Sequence, residues 1–367
     1  MATARTLSAL SPTLRLSLLG SFPATRVLAW NKNSLYASNR YRLIRVDFEE
    51  PNGLVWSPVA EYRPSWIRRW TSRSRLAHRA LRDGFHALAV LSSGHMVAAV
   101  PHAIVALEPG ETEFRTSFRI RRGTRPLHIA STADDCLYWG EYFDNHQRQE
   151  VHIYASTDHG NHWEVAYTFP ERTIRHVHNV VYDKWQDCLW ILTGDEGNEC
   201  RILRASPDLR NVDVVLSGGQ QARAVSLIPT EDALYFSSDS PLEKNNIYRL
   251  RRSGAVSQVA EISGSSIYGC AVGRSIFFST MVEPSMVNLD RHSRVFGSAD
   301  TNRWDNLLSW KKDTHSLKWF QYGNVILPDG ENSSNLLALS GVAVEDHDLE
   351  TSIWRIGTKT VVQGLGR

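Results

Sequence analysis

A repeat constrains this chain more than any other feature. Short strand-like runs, separated by turn residues, come four at a time, and the set of four recurs after roughly 40–50 residues. Almost nothing between them reads as a long helix. The first set is Arg26–Trp30, Leu35–Ser38, Leu43–Phe48 and Val55–Tyr62. Further sets open at Phe85, Leu127, His176, Arg223 and Ile267. In the sixth, Ser285–Asp290 reads as the third strand and Arg294–Phe296 as a poor fourth. The seventh has three strands, Trp319–Leu327, Asn335–Val344 and Ser352–Ile356, and the N-terminal run Leu14–Phe22 can supply the missing one. Closing a ring in this way removes exposed sheet edges. The expected fold is therefore all-β: one domain over residues 1–367, a ring of seven four-stranded sheets with six as the alternative count, the N-terminal strand completing the last. A basic stretch with helical character, residues 64–82, is inserted between the first and second sheets.

The run Glu150–Phe169 reads as a hairpin whose turn is Ser156-x-Asp158-x-Gly160-x-x-Trp163. Ser and Asp side chains two apart can bond nearby backbone amides and close a tight turn. Gly160 supplies the positive φ that such a turn needs. Trp163 opens the returning strand and can bury its indole under the loop. This turn resembles the Asp-box, or BNR repeat, of the sialidase-like β-propellers, in which the box is structural. The resemblance implies that the ring is a propeller with four-stranded blades. It does not extend to a catalytic set. Ser206-Pro207-Asp208 stands at the matching place of the next unit without the Gly and Trp, and Phe118-Arg119-Ile120 is followed by Arg121 where the sialidase motif has Pro.

Composition removes several classes of function. Lys and Arg number 41 against 39 Asp and Glu, so no strongly basic footprint for nucleic acid is present. No apolar run reaches the ~18 residues of a membrane span. Pro12 and Arg15 interrupt the mildly apolar N-terminus, against a signal peptide, so a cytoplasmic location is expected, with secretion as the alternative. Cys136, Cys188, Cys200 and Cys270 lack metal-type spacing and read as reduced thiols.

In a propeller the inner strands begin, and the second strands end, at one mouth of the central channel. Repeat alignment places Glu141, Asp195 and Asp239 at the ends of second strands in three consecutive units, with Glu283 beyond the next. A glycosidase needs two such carboxylates, one as acid and one as nucleophile or base. Arg125, Arg175 and Arg223 precede or open the inner strands of the same units and could hold an acidic sugar's carboxylate as bidentate forks. Tyr142 and Tyr268 fall at the same level as substrate contacts. His86, His128 and His178 occupy equivalent places in three units and could hold a divalent metal, with Glu141 or Asp195 as a further ligand. His176, two residues from His178 on the same strand face, could serve as general base.

The leading expectation is a carbohydrate-active or carbohydrate-binding propeller that takes an acidic saccharide at the channel mouth, as a sialidase-like glycoside hydrolase if it is an enzyme. A metal-dependent polysaccharide lyase or oxygenase using three histidines is the second. A non-catalytic scaffold for a protein or glycan is the third. A small molecule or oligosaccharide is the expected ligand in the first two. Fold alone does not choose among them.

Overall fold

A computed structural model of the chain describes residues 12–48 and 54–359. Residues 1–11, the start of the N-terminal stretch weighed as a signal peptide, lie outside the described residues. Among the described residues no helix is long and apolar enough to cross a membrane.

Strands pair with their sequence neighbours in antiparallel sets of four. The first set is Arg26–Lys32, Ser34–Asn39, Arg42–Asp47 and Ser57–Tyr62. The second is Ala87–Val90, Met96–Val100, Ala103–Leu107 and Glu113–Arg119. Their outer strands touch in parallel at Glu61–Glu113 and Tyr62–Phe114, which merges the two sets into one nine-stranded sheet with Asp329–Asn332 at its far edge. The third set runs Ala130–Ser131, Leu137–Gly140, Val151–Ser156 and Glu164–Phe169. The fourth runs His176–Asp183, Cys188–Gly194, Arg201–Ala205 and Val212–Ser217, and the fifth Ala224–Pro229, Ala233–Ser238, Asn245–Arg251 and Val256–Ile262. The last sheet joins Asn324–Ile326, Leu336–Val342 and Glu350–Lys359 to the N-terminal Thr13–Pro23. Closure is sealed where Asp329–Asn332 runs parallel to Arg26–Lys32 and the Val27 amide donates to Ser340 Oγ at 2.9 Å.

The sixth set departs from expectation by one strand. Its members are Tyr268–Val272, Ser275–Ser279, His292–Ser298 and Asp305–Lys311. Ser285–Asp290 is instead a loop. Pro284 cannot donate to a ladder, and Ser285 Oγ accepts from the Asn288 amide at 3.0 Å, which closes a turn. Asn288 then ties the loop to the fifth set through Ser240 and Asn245.

Second strands are buried along most of their length, and Cys188–Gly194, Ala233–Ser238 and Leu336–Val342 along all of it. Each is covered by its neighbours on both faces, which is why these segments read as apolar runs rather than alternating ones. The core lies between sheets: Trp190, Leu192 and Ile202 of the fourth pack with Ala224, Leu234 and Phe236 of the fifth. Truncating a fully buried ring such as Phe236 to Ala would cost about 3–5 kcal/mol.

The hairpin box forms as expected. Ser156 Oγ donates to Asp158 Oδ1 at 2.8 Å and accepts from the Gly160 amide at 2.9 Å, while Asp158 takes the His162 amide. Gly160 has φ +86°, and a Cβ there would stand 2.4 Å from Val97 Cγ2 of the second set. Trp163 donates its indole N–H to the Gly160 carbonyl at 3.1 Å and lies edge-on to Trp139. Ser206 and Asp208 repeat the side-chain part of this turn without its glycine. All four cysteines are free thiols.

The basic insertion folds as two short helices, Trp66–Thr71 and Arg75–Leu81. Arg79 pins it: fully buried, it pairs with Asp313 at 2.5 Å and Asp348 at 3.3 Å and donates to the Phe320 carbonyl. Asp83 anchors the other end through Arg68, Tyr41 and Thr71.

Candidate active site at the channel mouth

The starts of inner strands face the ends of second strands, as His176 opposite Gly194, Ala224 opposite Ser238 and Tyr268 opposite Ser279 show. Residues from distant sets also meet at this level. His128 of the third set lies 2.9 Å from Asp329 and packs against Tyr268 of the sixth, and Arg26 of the first donates to the Tyr268 hydroxyl at 3.4 Å. These contacts cross the ring and mark its centre.

Asp195 is the hub of the polar cluster. Its Oδ2 lies 3.1 Å from Arg175 and 3.6 Å from His176 Nε2. Its Oδ1 lies 3.3 Å from both His178 Nε2 and Arg223. Its backbone carbonyl accepts from Gln220 at 3.1 Å and from Arg223 at 3.3 Å. Burial works against the ionised carboxylate, yet the imidazoles of His176 and His178 beside it hold it far below the usual range. Asp239 behaves in the opposite way. Burial raises it to about 7, Arg223 opposes the rise at 3.5 Å, and the charge of Glu283 adds to it. Its Oδ1 is buried without a partner, as is Oε2 of Glu283. Two carboxyls held by one arginine are thus pushed apart in proton affinity, the pattern that separates an acid from a base.

The expected site residues divide. Asp195, Asp239, Arg175, Arg223, His176 and His178 form one network, and the Tyr142 ring packs at a tilt 4.3 Å from that of His176. Glu141 stands apart. Arg122 grips its carboxylate as a bidentate fork, the His152 amide donates to it at 2.9 Å, and it lines a surface groove with Arg121 and Tyr154. Neither His86 nor His128 joins His178. His86 Nε2 is 2.6 Å from the Arg82 carbonyl, and His128 is engaged by Asp329. Among the described residues the group with metal-ligand spacing is His176, His178 and Asp195.

Arg175 and Arg223 are already neutralised, Arg175 also by Asp144 at 2.7 Å. Arg125 is different. No carboxylate lies within ion-pair reach of it among the described residues, and its Nε is sealed from solvent without a partner. Burial, with Arg26 and Arg82 close by, pulls its guanidinium down to about 9. The phenol side chains of Tyr142 and Tyr268 are also close to it. Sequence reasoning missed Arg26 and Arg82. Arg26 was detectable, since it opens the first inner strand as Arg223 precedes the fifth; Arg82 arrives from the insertion, which has no counterpart in other units.

No family model matches the chain, and no curated protein does. Solved structures do. A catalytically inactive virginiamycin B lyase from Staphylococcus aureus with quinupristin superposes with a TM-score of 0.59 at 10% identity, covering 94% of this chain and 99% of that one. The WD40 β-propeller domain of Doa1 gives 0.56 at 9%, covering 94% and 97%. A GH74 enzyme of Niastella koreensis gives 0.52 at 15%, covering 79% of this chain and 46% of that one. The chain has the β-propeller fold, and identities this low carry the likeness no further.

Proposed function

We propose that this chain is a carbohydrate-active propeller of sialidase-like scaffold, built of seven blades, that takes an acidic saccharide at the channel mouth. The observation that carries this reading is Arg125, a guanidinium set among other arginines and left without a counter-ion. A half-buried, desolvated cation of this kind is costly until an anion pairs with it. A planar carboxylate flanked by ring hydroxyls suits it, because the guanidinium can bind it as a bidentate fork and Tyr142 and Tyr268 offer further hydrogen bonds. Asp239 would act as the proton donor and Asp195 as the fixed anion opposite the developing positive charge. The second reading, a lyase on uronic acids, is favoured by the paired imidazoles of His176 and His178.

Incubation with a panel of acidic polysaccharides, followed by mass spectrometry of the products, tests the proposal. A hydrolase adds one water per cleavage, and a lyase leaves an unsaturated end without added water. No product and no binding with any acidic glycan, while Arg125→Ala behaves like wild type, would remove the reading.

A further inference from the structure

We propose that His176, His178 and Asp195 form a binding site for a divalent transition metal. The argument starts from hydrogens. His176 Nδ1 lies 3.1 Å from the carbonyl oxygen of Phe143, and His178 Nδ1 lies 2.9 Å from that of Ala224. A carbonyl only accepts, so each Nδ1 carries its hydrogen. In that tautomer, without a second proton, each ring presents a bare Nε2 lone pair. These two lone pairs face one another at 3.0 Å. The Asp195 carboxylate faces both, with Oδ1 3.3 Å from His178 Nε2 and Oδ2 3.6 Å from His176 Nε2.

Three electron-pair donors aimed at one point repel unless a cation sits between them. An imidazole whose other nitrogen donates to a backbone carbonyl is the usual state of a metal-bound histidine, with ring orientation and tautomer already set. The spacing also fits. Bonds of about 2.1 Å to a tetrahedral ion place ligand atoms about 3.4 Å apart, and octahedral neighbours about 3.0 Å apart. Arg175 and Arg223 do not exhaust Asp195: a carboxylate has about four lone-pair directions, and they take one on each oxygen. Two imidazoles and one carboxylate suit zinc or ferrous iron rather than magnesium or calcium. Three protein ligands leave at least one position of such an ion open, and the ring of Tyr142 lies 4.3 Å from that of His176.

This differs from the three-histidine site expected from sequence, since His86 and His128 are spent elsewhere. It does not depend on the saccharide reading, because metal is measured without any glycan. A bound ion would occupy His176 and exclude it as a general base.

The test is elemental analysis of the tag-free full chain after purification, and again after chelation and reloading with zinc or ferrous iron. One ion per chain is expected. Reloading should restore it and raise the melting temperature. Cobalt substitution should give visible absorption bands of a low-coordinate site. His178→Ala and the milder Asp195→Asn should each lower metal affinity by at least about tenfold. If a variant fails to fold, the wild-type chelation and cobalt measurements still decide. Trace metal only, with no melting shift for any ion and no cobalt spectrum, would overturn the proposal and leave a shared proton between the two rings.

Discussion

Asp239 lies 3.5 Å from Arg223 and is still pushed toward neutrality. Burial and the nearby Glu283 charge outweigh the arginine, which is already shared with Asp195. The consequence for pH has a definite sign. A carboxyl raised from 3.8 to about 7 on folding favours the native state most at low pH. That contribution is present below the unfolded value and is lost as pH rises through the folded one. Denaturant unfolding between pH 4 and 7 should show wild type losing stability on the order of a few kcal/mol relative to Asp239→Asn. Parallel pH profiles for the two proteins would show that Asp239 is ionised in the fold.

Arg125→Ala separates binding from stability. A half-buried cation unpaired among the described residues weakens the native state, so its removal should leave the ligand-free protein as stable as wild type or more so. The same variant should lose the stabilisation that acidic saccharides confer. Melting curves with and without glycan check both halves. A large drop in stability without ligand would reveal a counter-ion in the native protein.

Arg79 secures the helical insertion against Asp313 and Asp348. Arg79→Ala removes one partner from each buried carboxylate, while Lys312 still pairs with Asp313 and Arg75 with Asp348, and should cost about 1.5–3 kcal/mol. Asp313 is held near 2, because bonds from Arg79 and Lys312 outweigh its burial. Its contribution is therefore present above its unfolded value and disappears as pH falls through about 2. In Arg79→Ala this acid transition should move to higher pH, read by fluorescence of the insertion's tryptophans Trp66 and Trp70.

Gly160→Ala combines a strained left-handed φ with a clash on Val97 and should destabilise by about 2–4 kcal/mol. Ser206→Ala, in the glycine-free relative of the same turn, touches only exposed hydrogen bonds and should cost under about 1 kcal/mol. Equal effects would mean that the box does not act through its packing on the second set.

Much of the architecture was legible because local signals agree with it. Fully apolar second strands, turn residues at regular intervals and an N-terminal strand lacking a partner all follow from sheets packed face to face. The sixth set slipped because Ser285–Asp290 has strand-like composition, and only Pro284 and the Ser285 turn mark it as a loop. For the site, the residues that strand-end position groups include Asp195, Asp239, Arg175, Arg223, His176 and His178, which lie in one network. Glu141, His86 and His128 lie outside it, because their partners Arg122, Arg82 and Asp329 come from loops or from other parts of the ring. Repeat register specifies height along the channel. It does not specify which neighbour already holds a charge.

The central claim is that the mouth recognises a carboxylate through Arg125. Calorimetric titration of the wild-type chain with an acidic oligosaccharide and with its carboxyl-reduced counterpart tests it directly. The account predicts at least about tenfold tighter binding of the acidic form, a difference of about 1.4 kcal/mol or more, abolished in Arg125→Ala. Equal affinity for the two sugars, or a preference that survives in the variant, would contradict it.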